Sequence, residues 1–160
     1  MAEDPTANAA LISRFYEAFG RRDHAEMARC YAPDARFSDP AFGELHGAEV
    51  PAMWRMLCER GKDLEIRFRD VNTHDDRGSA HWDADYTFSA TGRKVHNSID
   101  ASFRFADGLI AEHDDRFGMW RWSRQALGPT GLLFGWSSVV KQRVTEQARE
   151  NLREFMAKER

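Results

Sequence analysis

The stretch Arg93 to Trp122, RKVHNSIDASFRFADGLIAEHDDRFGMWRW, decides the fold. It reads as two long antiparallel strands joined at Ala106-Asp107-Gly108. In the first arm Val95, Ile99, Ala101, Phe103 and Phe105 are apolar, and His96, Ser98, Asp100, Ser102 and Arg104 between them are polar. That period of two is a strand with one buried face. A three-residue loop with Gly108 in the left-handed region sets odd residues against odd, with Ala101 opposite His113, Ile99 opposite Asp115 and Asn97 opposite Phe117. A two-residue turn would instead pair odd with even and set Glu112 and Asp114 against Phe103 and Ala101. On the first register Asn97, His113 and Asp115 share the core face with Phe and Ile. Buried polar groups need partners or water, because each one left without them costs about 1–3 kcal/mol. A pocket is the simplest remedy.

Upstream, Leu11, Ile12, Phe15, Tyr16 and Phe19 recur at helical spacing and Gly20 is a natural stop. Asp23-His24-Ala25-Glu26 resembles a capping box and opens a second short helix with Met27, Cys30 and Tyr31 on its buried side. Pro33-Asp34 breaks it. A brief strand from Ala35 to Asp39 ends at Pro40, and a loop from Phe42 runs to Gly47. Val50, Met53, Trp54, Leu57 and Cys58 mark a third helix, with Pro51 in its first turn and Gly61 at its end. From Leu64 the period is two. Leu64, Ile66 and Phe68 form one strand, and Trp82, Ala84, Tyr86 and Phe88 form the buried side of a longer one. Beyond Trp122 come Gly128-Pro129-Thr130-Gly131, an apolar loop from Leu132 to Trp136, and a last helix from about Ser138 with the stripe Val140, Val144, Ala148, Leu152 and Phe155. Three helices and then about four long antiparallel strands, after one short early strand, define an α+β domain whose curved antiparallel sheet wraps around the helices.

At 160 residues, 42% hydrophobic and 12% aromatic, the chain fills one domain with a sizeable core. Its net charge of −3 gives no footing for nonspecific nucleic-acid binding. MAEDPTANAA has no basic n-region, and no stretch approaches the roughly 18 apolar residues of a membrane span. A soluble, cytoplasmic protein without a membrane or nucleic-acid partner is expected. The near-balanced charge of the last helix argues against a membrane-surface role. Cys30 and Cys58 sit in apolar helical stripes and read as reduced packing residues. His24, His74 and His81 are too scattered for a metal site, and no spacing resembles a zinc pattern.

Three segments taken in order, Phe15 to Asp23 (FYEAFGRRD), Tyr31 to Pro40 (YAPDARFSDP) and Phe103 to Ile110 (FRFADGLI), resemble the SnoaL-like branch of the nuclear-transport-factor-2-like superfamily. The resemblance covers residues 8–122 and leaves 123–160 as a C-terminal loop and amphipathic-helix extension. It implies a cone-shaped sheet with a pocket at its mouth, a homodimer through the outer sheet face, and chemistry without a cofactor. His96, Asp100 and Arg104 fall on that outer face, solvated or at the dimer contact. Trp120, Trp122 and Trp136 are expected to anchor the tail over the sheet or across a dimer.

Two aspartates draw functional readings from the resemblance. Asp39 before Pro40 resembles the Asp-Pro that holds the general base of ketosteroid isomerase; the plainer reading is that it satisfies turn backbone. The isomerase's helix-one tyrosine aligns with Phe15 and its protonated aspartic acid with Ala101, so the oxyanion donors are absent and steroid isomerisation is not expected. Glu112 to Phe117 resembles the last-strand segment of SnoaL-like cyclases and limonene-epoxide hydrolase, with Asp115 on their acid or base aspartate. His113 lies on the same face to share a proton; alternatively, the pair only fixes the sheet. Asp83 and Asp85 face away from Trp82, Ala84 and Tyr86, so epoxide opening is not expected. Together these give Asp115, His113 and Asp39 as acid/base residues for isomerase, cyclase or hydratase chemistry on a small apolar molecule. Tyr16, Trp54, Trp82, Tyr86, Asn97, Phe103 and Phe117 would line the ligand. The alternative is a noncatalytic ligand-binding or dimeric interaction module of the same fold.

Overall fold

Residues 3–134 and 137–159 are described by a computed structural model. In chain order they form α1 (Pro5–Gly20), α2 (His24–Arg29), β1 (Tyr31–Asp39), β2 (Gly43–His46), α3 (Glu49–Arg60), β3 (Glu65–His74), β4 (Arg77–Phe88), β5 (Arg93–Ala106), β6 (Leu109–Arg116), α4 (Met119–Ala126), α5 (Pro129–Phe134) and α6 (Ser138–Lys158). Asp4 starts α1 by accepting the Thr6 and Ala7 amides, and Asp23 starts α2 by accepting that of Glu26. The six strands form one open, curved sheet in the order β2-β1-β6-β5-β4-β3. One α+β domain results, as the alternation implies. All neighbouring pairs are antiparallel except β1 and β6, which run parallel.

The central hairpin departs from the expected register. Asp107 and Gly108 both have positive φ, 53° and 76°. They form the two-residue type I′ turn whose twist matches the flanking strands. Ala106 pairs with Leu109 and Phe105 with Ile110, and a bulge at Ala111 then shifts the ladder by one residue. Phe103 therefore faces His113 and Ala101 faces Asp115. The bulge restores the odd-to-odd pairing that the turn alone would have lost, so Asn97, His113 and Asp115 are all buried on the core face.

Other expectations are corrected. The hairpin's second arm ends at Arg116, and the segment carrying Trp120 and Trp122 is the helix α4. The brief strand at Ala35 starts at Tyr31, passing Pro33 in an irregular stretch of the ladder before regular pairing resumes at Arg36. The loop after Phe42 contains the short strand β2. The loop expected at 132–136 is helical through Phe134 as α5, and Trp136 lies outside the described residues.

The core lies between α1, α3 and the inner sheet face, where Phe15, Tyr16, Phe19, Trp54, Phe37 and Trp82 meet in tilted and edge-to-face arrangements. Leu152 and Phe155 of α6 belong to the same cluster, each adding about 1.5–3 kcal/mol of burial. Arg149 ties α6 to the sheet by donating to the carbonyls of Phe42 and Glu44, at 3.1 and 2.9 Å. β6 pairs with β5 only from Asp100 onward, and α4 covers the free first half of β5. The His96 amide donates to Gln125 Oε1 at 2.8 Å, and Arg93 Nε donates to the Gln125 carbonyl at 2.8 Å. An edge strand open to unwanted pairing is thereby closed. Beneath α4, Met119, Trp122 and Ala126 pack on Val95.

Cys30 and Cys58 are free and buried, and burial pushes the Cys58 thiol up to about 11. No described helix is long and apolar enough to cross a membrane. His96, Asp100 and Arg104 are on the outer face, which is laced with charge: Arg36 grips Asp114 at 3.0 and 2.9 Å, and His96 Nδ1 lies 2.8 Å from Asp85.

Candidate functional site

A connected line of hydrogen bonds crosses the interior from α3 to β4. Trp54 Nε1 donates to Tyr31 Oη at 2.9 Å, and Tyr31 Oη lies 2.6 Å from His113 Nδ1. His113 Nε2 is 2.9 Å from Asp115 Oδ1, which also accepts from Trp82 Nε1 at 3.3 Å. Indole N–H groups only donate, so the Tyr31 oxygen receives from Trp54 and its own proton is available to His113 Nδ1. The imidazole then carries its proton on Nε2 and gives it to Asp115. Every hydrogen in the line has an acceptor under this assignment, which is how the tautomer is fixed.

The backbone explains the convergence. His113 and Asp115 are two apart on β6 and share its inner face. Trp82 comes from β4 across the intervening β5, and Tyr31 reaches His113 because β1 runs parallel beside β6. Aromatic rings close in on the imidazole. Phe103 lies 4.4 Å away, the edges of Phe37 and Phe15 stand at 5.1 and 5.8 Å, and Trp54 stacks at 6.0 Å. His113 is 0% exposed and Asp115 4%. Among the described residues no group bonds the second carboxylate oxygen of Asp115, Oδ2.

Asp39 is held by its turn, as the plainer reading expects: its Oδ1 accepts from the amides of Ala41 and Phe42 at 3.0 and 2.6 Å. Burial nonetheless raises its carboxyl to about 7, and the charge of Asp115 pushes the same way. Tyr86, raised by burial to about 12, feels the Asp39 charge and accepts a 2.7 Å bond from Trp122 Nε1. Tyr16 is raised by burial and then by Asp115, and its hydroxyl has no partner among the described residues.

Trp54, Trp82, Phe103 and Tyr16 are buried around His113 and Asp115, Asn97 is buried on β5 opposite Ala84, and Phe117 is half-buried just past the end of β6. A groove of about 450 Å³ opens elsewhere, lined by Asp63, Glu65, Asp85, Tyr86, Lys94, Val95, His96 and Gln125. Of the residues expected at a site only Tyr86 lines it; Asp115 and Asp39 do not. Tyr86 lines the groove and also feels the Asp39 charge. No group of three or more metal-ligating side chains is assembled among the described residues. Tyr31, read from sequence as mere helix packing, is the residue that reasoning missed. The signal that finds it is the parallel β1–β6 pairing, which period-two alternation does not reveal.

Comparison with known proteins identifies the family and the fold. The family model for the SnoaL-like domain matches residues 12–113. Among solved structures, TsrD from Streptomyces laurentii is 25% identical, with a TM-score of 0.64 over 79% of this chain and 98% of that one. An NTF2-like protein of unknown function from Burkholderia pseudomallei is 24% identical, with a TM-score of 0.65 over 74% of this chain and 96% of that one. An LEH-like epoxide hydrolase from M. tuberculosis shares the fold at 16% identity, with a TM-score of 0.65 over 86% of this chain and 98% of that one. Curated proteins give no match.

Proposed function

The chain belongs to the SnoaL-like domain family, and we propose that it performs cofactor-independent acid/base chemistry of the isomerase, cyclase or hydratase type on a small apolar molecule. The observation that carries this reading is the one-way line Trp54–Tyr31–His113–Asp115, which orients a carboxylate and leaves its Oδ2 unbonded. Asp115 takes a proton from a carbon or oxygen of the substrate through Oδ2. The His113 Nε2–H bond holds the carboxylate in position, and Asp39, poised at about 7, returns a proton at a second atom. Trp82, Phe103, Asn97 and Phe117 would form the apolar end of the substrate site. A dimer contact through the outer sheet face would meet paired charges such as Arg36–Asp114.

The rings packed around His113, and a groove that excludes Asp115, favour a second reading: a noncatalytic ligand-binding module in which the same line is structural. Deuterium exchange into the α-carbons of 2-decalone, an apolar cyclic ketone, separates the two. The catalytic reading expects exchange above the buffer rate that falls by about 10²-fold or more in Asp115→Asn with the fold intact. Ketone binding without exchange supports the noncatalytic module.

A further inference from the structure

Four large apolar side chains are exposed among the described residues: Trp120 at 40%, Leu132 at 54%, Leu133 at 61% and Val139 at 59%. All four fall in one segment, α4, α5 and the first turn of α6. That segment also has a charge of its own. Residues 116–145 contain five Lys or Arg and no Asp or Glu, so the other 130 residues carry −8 against the chain's total of −3. Arg116, Arg121, Arg124, Lys141 and Arg143 are all exposed, and none forms an ion pair among the described residues. The fold gathers the segment. Trp120 Nε1 donates to the Leu132 carbonyl at 3.4 Å, and Arg124 lies over the Trp120 ring at 4.9 Å. Val144 of α6 packs against the cluster on the inner side of α4. Taken whole, α6 mixes both signs, which is why its sequence alone argues against a surface role; the imbalance emerges when its first turns are grouped with α4 and α5.

We infer that this basic, apolar surface docks on an anionic lipid bilayer. Trp and Leu side chains of this kind insert at the boundary between headgroups and acyl chains, and flanking cations attract anionic headgroups. The charge also argues against a second copy of the chain as the occupant. A symmetric contact would set the segment's cations against their own copies, with no acidic residue in the segment to pair them. Exposed side chains on convex helices suit a soft, extended surface better than a preformed protein groove. The inner side of the same α4 carries Trp122, bonded to Tyr86 at 2.7 Å, so docking would bring the bilayer beside the groove. The inference does not depend on the catalytic reading.

The test is flotation of the full chain with vesicles of phosphatidylcholine alone and with about 30% phosphatidylglycerol, at about 0.1 M and about 0.5 M salt. Binding to the anionic vesicles is expected to exceed that to neutral ones by at least about tenfold and to weaken with salt. Arg121→Glu and Leu132→Asp, both exposed and each checked for unchanged circular dichroism, are each expected to lower partitioning by about fivefold or more. Three results would overturn the inference: equal binding to both vesicle types, anionic binding that neither variant alters, or no vesicle binding. A fourth would reassign the surface to an acidic protein partner: binding to soluble polyglutamate that matches or exceeds vesicle binding and is lost in the same variants. A dimer that Leu132→Asp dissociates would likewise reassign it to a second copy.

Discussion

Tyr31 Oη stands 2.6 Å from His113 Nδ1, joining the first strand to the last through a parallel ladder. This contact selects the His113 tautomer, because the ring nitrogen that accepts from Tyr31 cannot carry the proton. Tyr31→Phe leaves both His113 Nδ1 and the Trp54 N–H buried without a partner, at about 1–3 kcal/mol for each and so about 2–6 kcal/mol in total by urea denaturation. Nitrogen-15 shifts of His113 should report the Nε2–H form in the parent and a mixture of forms in the variant.

The two members of the buried pair should respond differently to substitution. Asp115→Asn keeps an oxygen to accept from His113 and Trp82, so stability falls by less than about 2 kcal/mol. His113→Ala opens a cavity among aromatic rings and leaves Asp115 and Tyr31 without their partner, which costs about 3–5 kcal/mol. Equal losses in the two variants would show that the line is not organised as drawn.

Asp39 ties stability to pH. Its carboxyl is raised from 3.8 to about 7, chiefly by burial with the Asp115 charge adding to it. Between those values the folded chain binds this proton more tightly than the unfolded chain does, so the Asp39 contribution makes stability decline as pH rises from about 4 to about 7 and level off above. Asp39→Asn keeps the Oδ1 acceptor for the Ala41 and Phe42 amides and removes that slope. The variant should match the parent near pH 4 and exceed it at pH 8, by at most about 4 kcal/mol in chemical denaturation.

Gly131 holds α5 on α4. A Cβ there would lie 1.9 Å from the Ser123 carbonyl oxygen, so Gly131→Ala forces the two helices apart. A loss of about 1–3 kcal/mol is expected, with faster amide exchange confined to α4 and α5. An unchanged exchange pattern would contradict the packing.

Much of this was legible in the sequence because alternation is a strong signal. The odd positions of β5 from Val95 onward, and those of β6 beyond the bulge, point inward, and Asn97, His113 and Asp115 follow them into the core, whereas before the bulge it is Ile110 that is buried. The register was less legible, since it depends on a bulge at Ala111 that no side chain announces. Asp107-Gly108 is itself a type I′ signature; what hid the right turn was that it alone would have paired odd with even. Tyr31 reads as helix packing in the sequence because the strand it opens contains Pro33, a residue that normally marks an interruption. Trp122 reads as part of a strand because the apolar residues after Arg116 continue the alternation for a few positions before helix geometry takes over at Met119.

Carbon-13 titration of the Asp39 side chain, in the parent and in Asp115→Asn, tests most directly whether the two carboxyl groups form one acid/base centre. The expected result is a midpoint at about 7 in the parent that moves downward once the Asp115 charge is removed. A parent midpoint near the ordinary 3.8, or a midpoint that Asp115→Asn leaves in place, would contradict a shared centre.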